Sequence, residues 1–237
     1  MDIQIENLQK KYNNTTVLHI PKLQINAGEI TGIAGNNGAG KTTLLRLMLD
    51  LIRADDGDIT VNDEKVHQGS QWKKHTGSFL DDGFLIGFLT PGEYFTFNAR
   101  SYGRQADETR EILKPYEKFL GDEIMGDKKY IRQLSTGNKQ KTGIAAAMML
   151  NPRLLLLDEP FNFLDPSSQI IIRNLLKWQN QQHQTTMLIS SHNINHLAQI
   201  CTRIILLEKG EIIKDIRPED QPEMQSIENY FDHQAAT

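Results

Sequence analysis

The 237-residue sequence contains a single cysteine, Cys201, and lacks any apolar run long enough to span a bilayer. One cysteine excludes an internal disulfide framework and is typical of a reducing compartment. A membrane-spanning helix needs roughly 18 or more consecutive apolar residues, which the sequence does not supply. We therefore expect a soluble protein whose membrane role, if it has one, depends on a partner.

An excess of positive charge is also missing. The sequence has 26 Lys and Arg against 30 Asp and Glu, so the formal net charge is −4. No overall basic field attracts nucleic acid, and we expect no nucleic-acid partner. Residues 1–6 have neither the basic nor the apolar region of a secretion signal, which favours a cytoplasmic location. Sustained heptads are absent, so a long coiled coil is not expected.

A glycine-rich stretch follows the short apolar run Ile30 to Ala34. It consists of Gly35, Asn36, Asn37, Gly38, Ala39, Gly40, Lys41, Thr42 and Thr43, and a helical pattern of leucines follows it. The spacing matches the phosphate-binding loop G-x-x-x-x-G-K-[ST]. Backbone N–H groups of such a loop surround a polyphosphate, and the positive end of the helix faces the same phosphates. We expect Lys41 to reach the β- and γ-phosphates and Thr42 to bind Mg²⁺.

Two carboxylates follow a run of four leucines, Leu154 to Leu157. Such a run predicts a strand buried on both faces in a parallel sheet. Asp158 and Glu159 then lie at the carboxyl edge of that sheet, where these folds bind ligands. We expect Asp158 to hold Mg²⁺ and Glu159 to polarise an attacking water as general base. The alternative is a pair of surface charges that close a strand.

Two further residues are ambiguous when taken alone. His192 closes the predicted strand 185–190, where it is either a surface or cap histidine or a group that reaches a γ-phosphate. Tyr12 precedes the predicted turn Asn13-Asn14. Its ring is either a core aromatic or a platform on which an adenine stacks.

Sequence motifs in the middle of the chain predict several helices. Thr90-Pro91-Gly92-Glu93 predicts a capping box, Pro115 interrupts a second helix, and a third helix follows Ser135. Five of the nine phenylalanines lie between residues 79 and 97, namely Phe79, Phe84, Phe88, Phe95 and Phe97. Such a cluster is more typical of a subdomain core than of a binding surface, and the alternative is a surface on which a partner protein docks. The segment around Trp72 is expected to be half-solvated, and a short helix is expected over 227–231 of the polar tail.

Together these motifs resemble the ATP-binding subunit of ABC transporters over about residues 3–215. Gly35–Thr43 matches the Walker A motif of that family, and Leu154–Glu159 matches Walker B with its catalytic glutamate. Leu134 to Lys141 stands at the LSGGQ signature, and Leu164-Asp165 resembles the D-loop. His192 resembles the switch histidine and Tyr12 the A-loop aromatic.

The resemblance implies a fold and a domain organisation. The fold is the α/β P-loop NTPase class, with a mostly parallel central sheet, an N-terminal antiparallel β subdomain and a helical subdomain insert. One ABC ATPase domain occupies residues 1–237. Its core comprises 1–81 and 151–216, the helical subdomain with the signature comprises 82–150, and a tail comprises 217–237.

The resemblance also implies activity and partners. ATP is hydrolysed with Mg²⁺, and the catalytic residues are Lys41, Glu159 and His192. Two ATPase subunits, identical or different, meet head to tail, and Ser135, Thr136, Gly137 and Asn138 of one contact the ATP of the other. A separate integral membrane permease holds the dimer at the cytoplasmic face of the membrane.

Three residues depart from the family pattern. Thr136 and Asn138 replace Gly and Gln of the signature, and Asp81 stands where the Q-loop glutamine is expected. An acid at that position offers an oxygen to Mg²⁺ or water. Similar substitutions occur in exporters of drugs and antimicrobial peptides, which favours export. The alternatives are a soluble ABC-type ATPase that acts on a cytosolic assembly, and a P-loop kinase or regulator, which would lack the signature helix and the strand-end histidine.

Overall fold

The computed structural model of the chain describes residues 1–126, 128–220, 222–227 and 231. The chain divides into two compact units. The first unit comprises Met1–Lys73 and Thr186–Thr237, and the second comprises Lys74–Thr185. The subdomain boundaries expected from the family resemblance stay a prediction.

Strands occur in both units. In chain order they are β1 (Ile3–Tyr12), β2 (Thr15–Ile25), β3 (Ile30–Ala34), β4 (Asp56–Val61), β5 (Glu64–Lys65), β6 (Thr76–Phe79), β7 (Leu154–Leu157), β8 (Thr186–Ser191), β9 (Arg203–Glu208) and β10 (Glu211–Ile216). The α-helices are α1 (Lys41–Met48), α2 (Pro91–Ser101), α3 (Glu108–Leu113), α4 (Glu117–Met125), α5 (Thr136–Met148), α6 (Pro166–His183) and α7 (Ile194–Ala198).

An antiparallel sheet of the first unit has the strand order β2-β1-β4-β5. Ile3, Ile5 and Leu8 of β1 are fully buried, while the residues between them are exposed. This alternation gives the strand one core face and one solvent face. Asn13 and Asn14 join β1 to β2 with φ angles of 47° and 63°, as a type I′ turn requires. The predicted turn is confirmed.

The remaining strands of the first unit are mostly parallel. β3 runs parallel to both β8 and β9, and β10 pairs antiparallel with β9. Every residue of β3 and β8 is buried, which is typical of parallel strands covered on both faces. α1 follows β3, and α7 follows β8. The expected α/β class with a mostly parallel sheet is confirmed.

The second unit contains one parallel strand pair and most of the helices. β6 pairs with β7 so that Phe79 lies opposite Leu157. The four leucines of β7 are fully buried, which confirms the predicted strand. α2 to α5 lie between these strands in the chain, and α6 follows β7.

The sequence motifs that predict helix ends in the second unit are confirmed. The Thr90 side chain accepts from the N–H of Glu93, and Glu93 Oε2 accepts from the N–H of Thr90 at 2.8 Å, which completes the capping box of α2. A 3₁₀ turn over Lys114–Tyr116 separates α3 from α4 at Pro115. Ser135 caps α5, whose last residue, Met148, precedes Asn151-Pro152.

Two expectations about burial are wrong. Trp72 is 2% exposed and its indole N–H donates to the carbonyl of Val66, so the segment around it is not simply half-solvated. The phenylalanines of 79–97 do not form one core cluster. Two are buried, and three are exposed by 51%, 68% and 51%, namely Phe84, Phe88 and Phe97. Whether a phenylalanine of this segment is buried depends on which side of the backbone faces the core. The composition of the segment does not encode that direction.

Residues 222–227 are helical, and most of the helix predicted over 227–231 lies outside the described residues. Across the described parts of the chain, no helix combines the length and apolar character needed to cross a membrane.

Candidate functional site

The glycine-rich loop of the first unit joins β3 to α1. A Cβ on Gly35 would lie 2.5 Å from the carbonyl oxygen of Leu207, so only glycine fits there. Gly40 caps α1 with a φ of 105°, a conformation that favours glycine. The first turn of α1 contains no acidic residue, so its positive end is not neutralised by a side chain of that turn.

Lys41 lies over this loop. Its side chain is buried, at 6% exposure, and its Nζ donates to the carbonyls of Gly35 at 2.6 Å and Asn36 at 3.2 Å. The ammonium group is therefore held against the backbone at the start of its own loop, in a motif whose backbone N–H groups bind phosphates. Thr42 is the next residue of α1. The geometry fits a polyphosphate bound by backbone and ammonium together.

His192 lies at the same sheet edge as the loop. β3 pairs in parallel with β8 so that Ala34 lies opposite Ser191. Gly35 and His192 are the residues that follow this pair, and His192 is exposed. Two candidate groups far apart in sequence therefore meet at the carboxyl ends of neighbouring strands, where parallel sheets bind ligands.

Three carboxylates of the second unit follow its strand pair. β6 and β7 pair in parallel up to Phe79 and Leu157, and the N–H of Asp158 donates to the carbonyl of Phe79 at 3.0 Å. Asp81 follows β6, while Asp158 and Glu159 follow β7. Asp81 Oδ1 accepts from the N–H of Gly83 at 2.8 Å, so it also caps a short 3₁₀ turn.

The backbone of Glu159 has an uncommon conformation. Its φ is 47°, in the left-handed region. Its carbonyl accepts from the side-chain amide of Gln140 and from the N–H of Asn162, each at 3.1 Å. These two hydrogen bonds hold the turn that presents the glutamate after β7.

The signature residues begin α5. The Ser135 hydroxyl accepts from the N–H of Asn138 at 3.2 Å, and the Asn138 amide donates to Glu123 Oε2 at 2.9 Å. Ser135 and Thr136 are exposed at the start of the helix. A Cβ on Gly137 would lie 2.7 Å from the carbonyl oxygen of Phe163, so glycine is required at this close approach.

Sequence reasoning missed the three side chains that follow Asn138. Lys139 pairs with Asp82 at 3.1 Å, Gln140 contacts Glu159, and Lys141 lies 4.0 Å from Asp165. Asp165 caps α6, and the hydroxyl of Ser168 is the main cause that lowers the pKa of its carboxyl group. The sequence offered one signal for these contacts, namely the polar residue Gln140 within α5. In the structure its side chain is buried, at 7% exposure.

The candidate residues therefore fall into two sets. The first unit brings together the loop 35–43 and His192, and it carries Tyr12 at the end of β1. The second unit brings together Asp81, Asp158 and Glu159, and it carries the signature residues 135–138. The roles predicted for these residues stay predictions.

Each unit supplies an oxygen donor of the kind that Mg²⁺ uses at phosphate sites. Within residues 1–126, 128–220, 222–227 and 231, no group of three or more His, Cys, Asp or Glu could hold a metal by itself. Mg²⁺ at phosphate sites takes one or two protein oxygens and completes its shell with phosphates and water. The Thr42 hydroxyl and the Asp158 carboxylate are donors of this kind.

Comparison with known proteins gives the family. The protein-family model described as ABC transporter matches residues 18–162. A tungstate uptake system ATP-binding protein from Peptoclostridium acidaminophilum is 31% identical over 212 residues, which cover 90% of this chain and 97% of that protein. A bacitracin transport ATP-binding protein from Enterococcus faecalis is 35% identical over 222 residues, which cover 90% of this chain and 68% of that protein.

A third relative is longer than this chain. The sulfate/thiosulfate import ATP-binding protein of Bradyrhizobium diazoefficiens is 30% identical over 223 residues. The match covers 93% of this chain and 65% of that protein. The named relatives thus include proteins of uptake and import systems as well as one of bacitracin transport.

Solved structures give the same result. A dimeric ATP-binding cassette in a post-hydrolysis state with ADP and Pi has a TM-score of 0.81 at 26% identity, covering 91% of this chain and 98% of that one. An ATP-binding subunit of an ABC transporter has a TM-score of 0.86 over the whole of both chains, and at 22% identity it shows the shared fold. The family model spans more than half of the sequence, and the chain belongs to the family of ABC transporter ATPases.

Proposed function

We propose that this chain is the ATP-binding and ATP-hydrolysing subunit of an ABC exporter, active as a head-to-tail dimer around two ATP molecules. The observation that carries the proposal is the placement of candidate groups directly after parallel strands: the loop and His192 after β3 and β8, and the carboxylates after β6 and β7. Ligands of open α/β folds bind at such strand ends.

Each residue has one role in this mechanism. Backbone N–H groups of 35–43 and the Lys41 ammonium bind the β- and γ-phosphates, and Tyr12 stacks on the adenine. Thr42 and Asp158 would hold Mg²⁺, which would neutralise phosphate charge, and Asp81 would tune that interaction. Glu159 accepts a proton from the attacking water, and His192 donates a hydrogen bond to the γ-phosphate.

The start of α5 supports the proposed dimer. Ser135 and Thr136 are exposed there, and Gly137 lets the backbone of Phe163 approach closely. We assign these residues and Asn138 to the ATP of a second subunit, identical or related. Two solved structures of one cassette similar to this chain are dimeric, which supports the assignment. ATP then closes the dimer and hydrolysis reopens it, a population shift driven by differential binding.

A separate membrane permease is the proposed partner. Phe84, Phe88 and Phe97 are exposed by half or more and lie in and after the segment that carries Asp81. Large exposed apolar side chains are candidates for an interaction surface. We assign them to the docking of the permease, which holds the chain at the cytoplasmic face of the membrane. Isolation of the tagged chain from membranes should recover a protein with about six apolar spans of membrane length.

The dimer is tested by Glu159→Gln. Removal of the general base should lower kcat by about two to four orders of magnitude while ATP binding remains, so the variant accumulates as a closed dimer. Size-exclusion chromatography with ATP measures the dimer, and ADP is the control nucleotide. Glu159→Gln combined with Ser135→Arg should stay monomeric because the signature is blocked. A strictly monomeric Glu159→Gln variant beside an active wild type would falsify the dimer.

Export rests on the departures from the family pattern at Asp81, Thr136 and Asn138. Its test uses the co-purified permease in sealed vesicles with the ATPase on the outside. Loss of a loaded compound from the vesicle interior upon addition of ATP contradicts export, whereas accumulation inside supports it.

A further inference from the structure

Two backbone features fix the direction of Tyr12 at the end of β1. The register of the β1–β2 pair shifts between Lys10 and Lys11, and the turn at Asn13 and Asn14 begins directly after Tyr12. An irregularity of this kind changes the direction of the side chains beside it. The Tyr12 side chain is nevertheless 47% exposed, so the ring is oriented without being buried.

Asp55 holds the register shift in place from the segment before β4. Its Oδ2 accepts from the N–H of Lys11 at 2.6 Å and lies 3.2 Å from Nζ of Lys10. The N–H of Asp55 donates to the carbonyl of Gln9 at 2.8 Å. One residue therefore contacts three successive residues of β1 that lead to Tyr12.

Lys10 connects Asp55 to the aromatic ring. Its Nζ lies over the Tyr12 ring, 5.4 Å from the centroid, and its side chain is only 13% exposed. A cation in this position is attracted to the ring face. The ion pair with Asp55 also limits the movement of a long and flexible side chain. The ammonium group thus occupies one face of a ring that is otherwise about half exposed.

The same hairpin contacts the phosphate loop. Lys10 pairs with Leu18 of β2, and a Cβ built on Gly40 would lie 3.2 Å from Leu18 Cδ1. The N–H of His19 donates to the carbonyl of Gly210 at 2.8 Å, and the N–H of Gly210 donates to a carbonyl of the loop at 2.9 Å. The ring of Tyr12 is therefore held on a strand pair that is tied to the candidate phosphate site.

We infer that Lys10 and Asp55 are positioning residues for the base of ATP, which hold the Tyr12 ring so that its face opposite the Lys10 ammonium stacks on the adenine. This inference rests on the nucleotide site proposed above. A ring that is oriented before the ligand arrives loses less conformational entropy upon binding, which raises affinity. Lys10 acts on the base through Tyr12 and has no role toward the phosphates.

The test compares dissociation constants for ATP and for inorganic triphosphate, which has no base. Lys10→Ala should weaken ATP binding about two- to fivefold, the range that an exposed cation–π contact supports, and leave triphosphate binding unchanged. Lys10→Arg should retain wild-type ATP affinity because a guanidinium also binds an aromatic face. Lys11→Ala is the matched control. It removes the same charge one residue away and keeps the backbone N–H that donates a hydrogen bond to Asp55. It should bind both ligands as wild type does.

Two results would overturn the inference. One is equal weakening of ATP and triphosphate by Lys10→Ala, which places the effect on the phosphates or on folding. The other is wild-type ATP binding by Lys10→Ala when Tyr12→Ala binds ATP more weakly, because Tyr12 then needs no support. Failure of the nucleotide site itself gives a different pattern, in which neither Tyr12→Ala nor Lys41→Ala changes ATP binding.

Discussion

The phosphate loop and the signature segment differ in how their shapes are fixed. The loop is held mainly by local contacts, because the Lys41 ammonium donates to carbonyls five and six residues before it and glycines permit the path of the backbone. One hydrogen bond from the distant Gly210 N–H adds to these contacts. The signature segment is held by distant partners. Lys139 pairs with Asp82, 57 residues away, and Gln140 contacts Glu159, 19 residues away. A local motif therefore encodes the shape of the phosphate loop. The shape of the signature segment depends on contacts that form only when the second unit folds.

The largest effect is expected from a substitution in the phosphate loop, whose shape is held mainly by local contacts. Lys41→Ala removes the one ammonium group buried in the loop and should abolish the stabilisation that ATP gives the wild type. That stabilisation is about 2.7 kcal/mol at a ligand concentration 100 times the Kd. The measurement is the shift of Tm with added ATP, and ATPase activity should fall with it.

A matched lysine serves as control for that experiment. Lys22→Ala removes an exposed lysine from β2 of the same unit, and its ATP-dependent Tm shift should equal that of the wild type. The Tm without nucleotide shows whether either variant is misfolded. An undiminished shift in Lys41→Ala would contradict the assignment of the loop.

A smaller effect is expected from the distant contacts of the signature segment. Gln140→Met keeps the size of a buried side chain but removes the donor to the Glu159 carbonyl, so the glutamate is held less well for its water. One neutral hydrogen bond is worth about 1 kcal/mol, and we expect kcat to fall about fivefold with the Kd for ATP unchanged. Steady-state kinetics and equilibrium binding measure the two quantities. Equal losses in binding and turnover would show that Gln140 supports the fold rather than Glu159.

The smallest effect is expected from the ion pair between Lys139 and Asp82. Its side chains are 23% and 49% exposed, and exposed pairs contribute about 0.5 kcal/mol. A double-mutant cycle with Lys139→Met and Asp82→Asn, followed by urea unfolding, gives the coupling energy. The coupling should vanish in about 1 M salt, where the Debye length is about 3 Å. A coupling above about 2 kcal/mol that persists in salt would mean that the pair is a structural anchor.

Features that depend on neighbours in sequence were predictable. The loop 35–43 follows a strand and begins a helix, Thr90 and Glu93 form the expected capping box, and the leucines of β7 are buried. The two-residue turn at Asn13-Asn14 also follows from residue type, because asparagine tolerates a positive φ. In each case a short motif carries its own physical cause.

Features that depend on the partner residue in a tertiary contact were not predictable from the sequence. Nothing local to Trp72 indicates that its indole N–H meets the carbonyl of Val66 in a buried position. The exposure of Phe88 beside the burial of Phe95 depends on which side of the backbone meets the core. The contacts of Gln140 and Lys10 likewise required the fold, since each joins segments that are separate in the sequence.

The carboxylate of Asp55 has a consequence for acid tolerance. The hydrogen bond from the N–H of Lys11, followed by the interaction with Lys10, lowers the pKa of this carboxyl group below its ordinary value. A group of this kind gives its full contribution above the unfolded-state pKa, and the contribution is lost only as the pH falls through the lower folded-state pKa. The lowered pKa widens the pH range over which Asp55 stays charged. The carboxylate that accepts from the Lys11 N–H, next to Tyr12, is therefore still ionised under conditions that protonate histidines.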